Sequence, residues 1–290
     1  MHQEQVLQGL KMELVHYSYK PSPQITALSN KSIPLNNKVI IEELVLKFPD
    51  NLSSSVYLVK PMIDGVFPGI VFLHWLEPHA ENSNKDEFLP MAIKLAENHN
   101  IVSILPDAFW STTPEKYKEQ PHLGWITEYD NDSKLIERQL LKLLYAIDYL
   151  ESLSSVKKEE IYFCGHDFGA MFGTLLGTFK QNIKGYVLMA LTGKFSDWFR
   201  FGNKLDKVEN FLEYVKKMSK YDPVSNVSNI KQKVFFQFAL NDFYIPVEKA
   251  IALTDKVKDN KNIMWYKAGH GMNDQSFADA EAWLVNLVSS

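Results

Sequence analysis

Short apolar runs alternate along this chain with longer segments whose apolar residues recur at helical spacing. The later runs are rich in β-branched and aromatic residues and apolar on both faces, as expected of strands covered by helices on two sides. Strands are predicted at residues 39–48, 55–60, 69–74, 101–106, 161–165, 186–191, 234–240 and 262–267. Helices are predicted at residues 87–99, 133–152, 169–180, 247–257 and 279–288. This alternation predicts an α/β fold with a mostly parallel, eight-stranded sheet and helices on both faces.

The chain contains no segment that resembles a linker between domains, so we expect a single domain over residues 1–290. A short polar turn separates the first two strands, which predicts an antiparallel hairpin at the edge of the sheet. Residues 192–231 do not fit the alternation, because they form a long, aromatic-rich segment between two strands. We therefore predict a small cap-like insertion there, above the ends of the strands.

Composition excludes several classes of protein. The chain has 31 basic and 35 acidic residues, a net charge of −4, and very little arginine, which disfavours nucleic-acid binding. Its single cysteine, Cys164, rules out an internal disulfide and a multi-cysteine metal site. The eight histidines are scattered without a His-Glu-x-x-His motif, so we expect neither a metal nor a cofactor. There is no apolar signal segment and no run near the ~20 residues of a membrane span, which predicts a cytoplasmic protein without membrane contact.

Three residues that suit hydrolytic chemistry follow predicted strands in chain order. Asp167 lies in the stretch GHDFG, where Gly165 and Gly169 frame it as the glycines of a nucleophile elbow frame a serine. Asp242 and His270 come directly after two later strands. The carboxyl ends of parallel strands meet at one edge of a sheet, so we expect these side chains to form a catalytic triad. A simple helix N-cap is the alternative interpretation of Asp167.

A second loop is expected to stabilise negative charge at this site. His74, Trp75 and Leu76 follow the third predicted strand, where related hydrolases donate a backbone N–H to an oxyanion. Trp75 stands where a glycine is usual. We expect Trp75, Leu76 and Phe168, the residue after Asp167, to stabilise an oxyanion or a leaving group.

These motifs resemble those of the α/β-hydrolase superfamily, and within it the dienelactone-hydrolase-like branch. The resemblance rests on FLHW, ILPDAFW, the elbow, NDFYIP and YKAGHGM, in that order along the chain. It implies the α/β-hydrolase fold, with residues 192–231 as a small cap insertion. Dienelactone hydrolases have a cysteine at the centre of the elbow and related esterases have a serine, whereas this chain has Asp167.

The elbow itself is similar to that of epoxide hydrolases and haloalkane dehalogenases, which have an aspartate nucleophile. This resemblance implies that Asp167 attacks an epoxide or alkyl halide carbon and forms a covalent ester. His270, oriented by Asp242, would then activate water to hydrolyse that ester. The substrate is expected to be a small apolar molecule bound by aromatic residues, for which Trp110, Trp125, Trp198 and Tyr214 are the candidates.

Two other functions remain open at this stage. The branch-level resemblance implies a carboxylic ester or lactone hydrolase, in which Asp167 acts as a general base on water. A carboxylate that attacks an ester carbonyl would form a high-energy anhydride, whereas attack on an epoxide or alkyl halide carbon gives a stable ester, so the chemistry favours the epoxide or alkyl halide as the first choice. The third hypothesis is a non-catalytic protein that binds small molecules on the same fold. The sequence does not indicate the oligomeric state.

Overall fold

A nine-stranded sheet forms the centre of the molecule, in the strand order β1-β2-β3-β5-β4-β6-β7-β8-β9. The computed structural model describes residues 13–21, 24–77, 84–112, 129–197 and 211–290. The strands are β1 (Thr26–Pro34), β2 (Val39–Lys47), β3 (Ser53–Pro61), β4 (Phe67–Leu73), β5 (Val102–Pro106), β6 (Val156–His166), β7 (Ile183–Met189), β8 (Lys233–Ala239) and β9 (Lys261–Tyr266). From β5 to β9 all neighbours are parallel, which confirms the predicted α/β class.

One strand was not predicted from the sequence. β1 pairs antiparallel with β2, so the predicted hairpin of β2 and β3 lies one strand in from the edge. The sequence of β1, TALSNKSIP, is mostly polar, and Leu28 is about half exposed. An exposed edge strand buries little apolar surface, so it lacks the apolar run by which the eight other strands were predicted.

Helices cover both faces of the sheet. They are α1 (Leu89–His99), α2 (Tyr129–Ser152), α3 (Phe168–Phe179), α4 (Phe211–Met218), α5 (Pro223–Asn226), α6 (Val247–Thr254) and α7 (Asp274–Val288). Ile161 and Phe163 of β6 belong to the core that contains residues of α2 and α3. Tyr162 and Cys164 point to the opposite face, where the core contains residues of α1 and α7. This alternation buries β6 on both sides, as its apolar sequence predicts.

The described part of the predicted cap contains α4 and α5. Two tyrosines link it to α2: the hydroxyl of Tyr214 donates to Asp132 at 2.9 Å, and that of Tyr221 donates to Glu137. All four side chains are buried. The function of residues 192–231 as a cap stays a prediction, and residues 198–210 lie outside the described part of the chain.

Candidate active site

Three parallel strands of the sheet end at the same edge, and each is followed by one residue of the predicted triad. Asp167 follows β6, Asp242 follows β8, and His270 follows β9. The fold therefore brings together residues that are far apart in the sequence. All three carboxyl or imidazole groups are almost completely buried.

The backbone at Asp167 has the strained conformation of a nucleophile elbow. Its φ is 52° and its ψ is −115°, outside the common regions for a non-glycine residue. The N–H of Asp167 donates to the carbonyl of Met189 on β7 at 2.8 Å, which fixes the turn to the sheet. Asp167 occupies the N-cap position of α3, but its side chain makes no capping hydrogen bond to the helix.

The two glycines of the elbow are required by close backbone contacts. A Cβ on Gly165 would lie 2.6 Å from the carbonyl carbon of Gly169. A Cβ on Gly169 would lie 1.9 Å from the carbonyl oxygen of Leu73, at the end of β4. Since real Cβ atoms do not approach backbone this closely, α3 can pack against the end of β4 only with glycine at position 169.

Asp242 is held by two backbone N–H groups and in turn orients His270. Its Oδ1 accepts backbone N–H groups of Tyr244 at 2.8 Å and Ile245 at 3.1 Å. Its Oδ2 lies 2.9 Å from Nδ1 of His270. The hydrogen bond to Asp242 places the proton on Nδ1 and turns Nε2 of His270 towards Asp167. The ring of Tyr244 packs edge-on against the imidazole, with centroids 5.0 Å apart.

Asp167 and His270 form a buried ion-pair contact rather than a hydrogen bond. Nε2 of His270 lies 3.6 Å from Oδ1 of Asp167. Neither this nitrogen nor either oxygen of Asp167 has a hydrogen-bond partner among the described residues. Burial by itself lowers the pKa of His270, but the carboxylates of Asp167 and Asp242 outweigh it and raise the pKa to about 10. His270 is therefore an imidazolium at neutral pH.

Residues 74–77, which we call the oxyanion loop, begin with a neutral histidine. Burial lowers the pKa of His74 to about 4. Its Nε2 forms a 2.8 Å hydrogen bond with the hydroxyl of Ser111. The backbone N–H of Trp75 donates to Oε2 of Glu87 at 2.9 Å. This corrects the prediction for Trp75, because an N–H engaged by a carboxylate does not serve an oxyanion.

The function of Leu76 and Phe168 as backbone donors stays a prediction. Leu76 is buried in the oxyanion loop. Phe168 is the first residue of α3, and the N–H groups in the first turn of a helix point out of its N-terminal end. The side chain of Phe168 points into the core, where its ring stacks on Trp110 at 5.2 Å. Only the backbone of Phe168 is therefore expected to face a substrate.

Two of the four predicted substrate-binding residues, Trp110 and Tyr214, lie in the described part of the chain, and both are buried. Trp110 is completely buried and packs against Phe168 and Phe172 of α3, which corrects its predicted contact with a substrate to a supporting position in the core. The Tyr214 hydroxyl donates to Asp132 on α2. Trp125 and Trp198 lie outside the described residues.

Sequence analysis missed two residues next to the site, His166 and Glu87. His166 is completely buried, with Nδ1 2.5 Å from Oε1 of Glu87 and Nε2 3.0 Å from the backbone carbonyl of His270. The indole of Trp75 stacks on His166 and meets His270 edge-on, with centroids 5.3 Å and 5.4 Å apart. The only signal in the sequence was the position of His166 directly before Asp167, and Glu87 lies in no recognisable motif.

In the described part of the chain, no group of three His, Cys, Asp or Glu side chains is arranged to hold a metal ion. Within the same residues, no helix combines the length and apolar character needed to cross a membrane. Cys164 is buried, and burial raises the pKa of its thiol, which opposes formation of a thiolate.

Residues 57–284 match the sequence profile described as the Dienelactone hydrolase family. Comparison with the curated proteins found no significant match. Among solved structures, the chain is similar to an acetyl xylan esterase from a Paenibacillus species, with 17% identity and a TM-score of 0.70 over 92% of this chain and 89% of that one. It is also similar to acetyl xylan esterase 1 from a Thermoanaerobacterium species, with 13% identity and a TM-score of 0.68 over 91% and 88% of the two chains. The glucuronoyl esterase from Solibacter usitatus is 11% identical, with a TM-score of 0.63 over 94% of this chain and 88% of that one. At these identities the likeness shows the fold.

Proposed function

The chain belongs to the dienelactone hydrolase family and is a hydrolase of the α/β-hydrolase fold, and from this premise we propose that it hydrolyses carboxylic esters or lactones with Asp167 as the general base. The family name and the esterase neighbours support this substrate class. The hypothesis of an epoxide or alkyl halide substrate finds no support there, since none of the structures named above is an epoxide hydrolase or a dehalogenase. Membership of a hydrolase family also favours an enzyme over a non-catalytic binding protein.

The position of His270 between two buried carboxylates is the observation that supports the general-base route. A histidine that activates a nucleophile must be neutral, but the two flanking carboxylates raise the pKa of His270 to about 10. The carboxylate of Asp167, buried and without a hydrogen-bonding partner in the described residues, is the basic group that remains. A water molecule donating to this carboxylate would be held at the edge of the sheet, next to the oxyanion loop.

In the proposed reaction, Asp167 accepts a proton from this water while the water oxygen attacks the ester carbonyl. The carbonyl becomes an oxyanion, which the N–H groups of Leu76 and Phe168 stabilise. His270 then donates the proton on Nε2 to the leaving alkoxide as the tetrahedral intermediate collapses to the acid and the alcohol. A proton passes from Asp167 back to His270, either directly or through the carboxylic acid product and solvent. One water and one ester are consumed, and no covalent enzyme intermediate forms.

Asp242 supports this cycle without exchanging a proton. Its hydrogen bond keeps Nδ1 of His270 protonated, and its negative charge stabilises the imidazolium. The two backbone N–H donors at its other oxygen prevent Asp242 from turning away. Asp167 lacks comparable donors, which suits a carboxylate that must bind and deprotonate water.

The source of the oxygen in the product tests this proposal. A p-nitrophenyl ester is hydrolysed with enzyme in excess, in oxygen-18-labelled water, and both the product acid and the peptide containing Asp167 are weighed by mass spectrometry. We expect label in the product acid and none in the Asp167 peptide. Label in that peptide, or an acyl adduct trapped on Asp167 in the His270→Gln variant, would support a covalent mixed anhydride and overturn the general-base route. Absence of ester and lactone hydrolysis would overturn the proposed function itself.

A further inference from the structure

We propose that Glu87 and His166 are positioning residues that hold the oxyanion loop and the loop of His270 in a fixed relation to each other. The inference rests on the ester hydrolysis proposed above. His166 lies in the elbow, Glu87 lies just before α1, and the two form a buried pair between these loops. Neither residue is part of the triad, and neither contacts the reacting atoms.

Every polar atom of the pair forms a hydrogen bond. The carbonyl oxygen of His270 can only accept, so Nε2 of His166 carries a hydrogen and donates to it at 3.0 Å. Oε2 of Glu87 accepts the backbone N–H of Trp75 at 2.9 Å. Nδ1 of His166 and Oε1 of Glu87 form the remaining hydrogen bond, over 2.5 Å. The pair therefore connects the backbone of Trp75 to the backbone of His270.

This chain of contacts joins three segments whose relative positions the proposed reaction depends on. The carboxylate of Glu87 fixes the backbone of the oxyanion loop at Trp75, one residue before the predicted donor Leu76. The imidazole of His166 fixes the backbone of His270, whose ring must reach both Asp242 and Asp167. His166 itself directly precedes Asp167. Displacement of any of these groups by about 1 Å is expected to lower the rate by about 10²-fold.

Substitutions at Glu87 separate this function from a general contribution to stability. Leucine in place of Glu87 keeps a similar volume but removes both hydrogen bonds. We expect Glu87→Leu to lower kcat per folded molecule by about 10²-fold while KM changes little. Glutamine can accept from Trp75 and donate to a neutral His166, so Glu87→Gln is expected to restore most of the activity. Glu87→Asp keeps the charge but is one methylene too short to make both contacts, and is expected to lose about 10-fold.

Glu137 provides the matched control for removal of a buried glutamate. It is completely buried, and it accepts the backbone N–H groups of Val15 and His16 at 2.7 Å and the hydroxyl of Tyr221. Glu137→Leu is therefore expected to lower the melting temperature without changing kcat per folded molecule. If Glu87→Leu likewise lowers the melting temperature but leaves kcat per folded molecule unchanged, the positioning proposal is overturned. It is also overturned if Glu87→Gln is as inactive as Glu87→Leu. If Glu87→Leu does not fold, Glu87→Asp decides, and wild-type kcat in that variant overturns the proposal.

A spectroscopic measurement keeps this test independent of the proposed activity. Should the wild-type protein hydrolyse no ester, the proposed function fails, but the positioning of His270 remains measurable by proton NMR with nitrogen-labelled histidine. The Nδ1 proton of His270, bonded to Asp242, is expected to give a slowly exchanging downfield resonance in the wild type and in Glu137→Leu. In Glu87→Leu this resonance is expected to broaden through exchange with water. An unchanged resonance in Glu87→Leu would overturn the proposal.

Discussion

The imidazole of His270 lies between two carboxylates but is hydrogen bonded to only one of them. Its Nδ1 is 2.9 Å from Oδ2 of Asp242, whereas its Nε2 is 3.6 Å from Oδ1 of Asp167. Asp242 is also fixed by two backbone N–H groups, while the carboxylate of Asp167 has no hydrogen-bonding partner in the described residues. The two aspartates thus have different environments: one orients the histidine, and the other is available to a water molecule and a substrate.

The protonation of His270 predicts an unusual pH profile. The active form carries a proton on His270, whose pKa is raised to about 10. We expect kcat/KM to be level across the neutral range and to fall as the pH rises through about 10. A histidine that acts as a base with its ordinary pKa of about 6.5 would instead give activity that rises through that pH.

The variant Asp242→Asn checks the cause of this profile. Loss of one flanking carboxylate lowers the pKa of His270, so the alkaline fall in kcat/KM should move to lower pH. The maximal kcat/KM should also be smaller than that of the wild type. Rates measured from neutral to alkaline pH, with folding checked by circular dichroism at each pH, would distinguish this from alkaline unfolding. An alkaline limb that does not move in Asp242→Asn would contradict the assignment to His270.

The same ion pair predicts how stability depends on pH. The folded-state pKa of His270 lies above its unfolded value of about 6.5, so its stabilising contribution is complete below that pH and is lost as the pH rises to about 10. The free energy of unfolding should fall over this window by at most about 1.4 kcal/mol per pH unit from this group. In Asp167→Asn the pKa of His270 is lower, so the fall should be shallower.

Urea unfolding at several pH values within this window measures the effect. The difference in slope between wild type and Asp167→Asn is the informative quantity, because other titrating groups contribute equally to both proteins. Parallel slopes for the two proteins would show that Asp167 does not hold the proton on His270.

Much of the site could be predicted from the sequence because its parts follow general rules of α/β folds. Strands that are buried on both faces have apolar sequences, and their carboxyl ends meet at one edge, so the positions after them are informative. Asp167, Asp242 and His270 were predicted in this way, and the structure brings them together. Gly165 and Gly169 identified the elbow in the sequence, and the close approach of Gly169 to the backbone of Leu73 shows why a glycine is needed there.

The remaining features depend on tertiary contacts that leave no local pattern. Glu87 and His166 are 79 residues apart in the sequence, and neither type of residue is unusual at its position. The backbone N–H of Trp75 is occupied by the same Glu87, so its unsuitability as an oxyanion donor follows only from the fold. β1 was missed for a different reason: its mostly polar, exposed sequence gives no apolar signal.

Gly169 offers a test of the elbow geometry. Alanine has a higher helix propensity than glycine by about 1 kcal/mol, so in the absence of tertiary contacts Gly169→Ala in α3 would stabilise the protein. The Cβ would lie 1.9 Å from the carbonyl oxygen of Leu73, so we expect destabilisation by about 1–3 kcal/mol and a large loss of kcat as α3 and β4 move apart.

Gly193→Ala is the matched control for this substitution. There the nearest atom to the added Cβ would be in Val224, 3.7 Å away, which is an ordinary contact. Its stability and kcat should stay close to those of the wild type. Urea unfolding and ester hydrolysis measure both variants, and equal stability of the two would show that the backbone at position 169 adapts without cost.

Asp167→Ser tests whether the site differs from that of a serine esterase only at its central residue. The substitution removes one carboxylate beside His270, so the pKa of the imidazole should fall towards its ordinary value and the neutral form should become available as a base. The new hydroxyl would occupy the strained elbow position, with Asp242 still orienting His270.

We therefore expect p-nitrophenyl acetate to release a burst of nitrophenol, and one acetyl group to be found on the peptide that contains position 167. Wild type and Asp167→Asn, which lack a hydroxyl there, should give neither the burst nor the acetylated peptide. If Asp167→Ser folds and remains unacetylated, then the histidine or the oxyanion loop is not placed for acyl transfer, and the site is specific to chemistry in which a carboxylate acts on water.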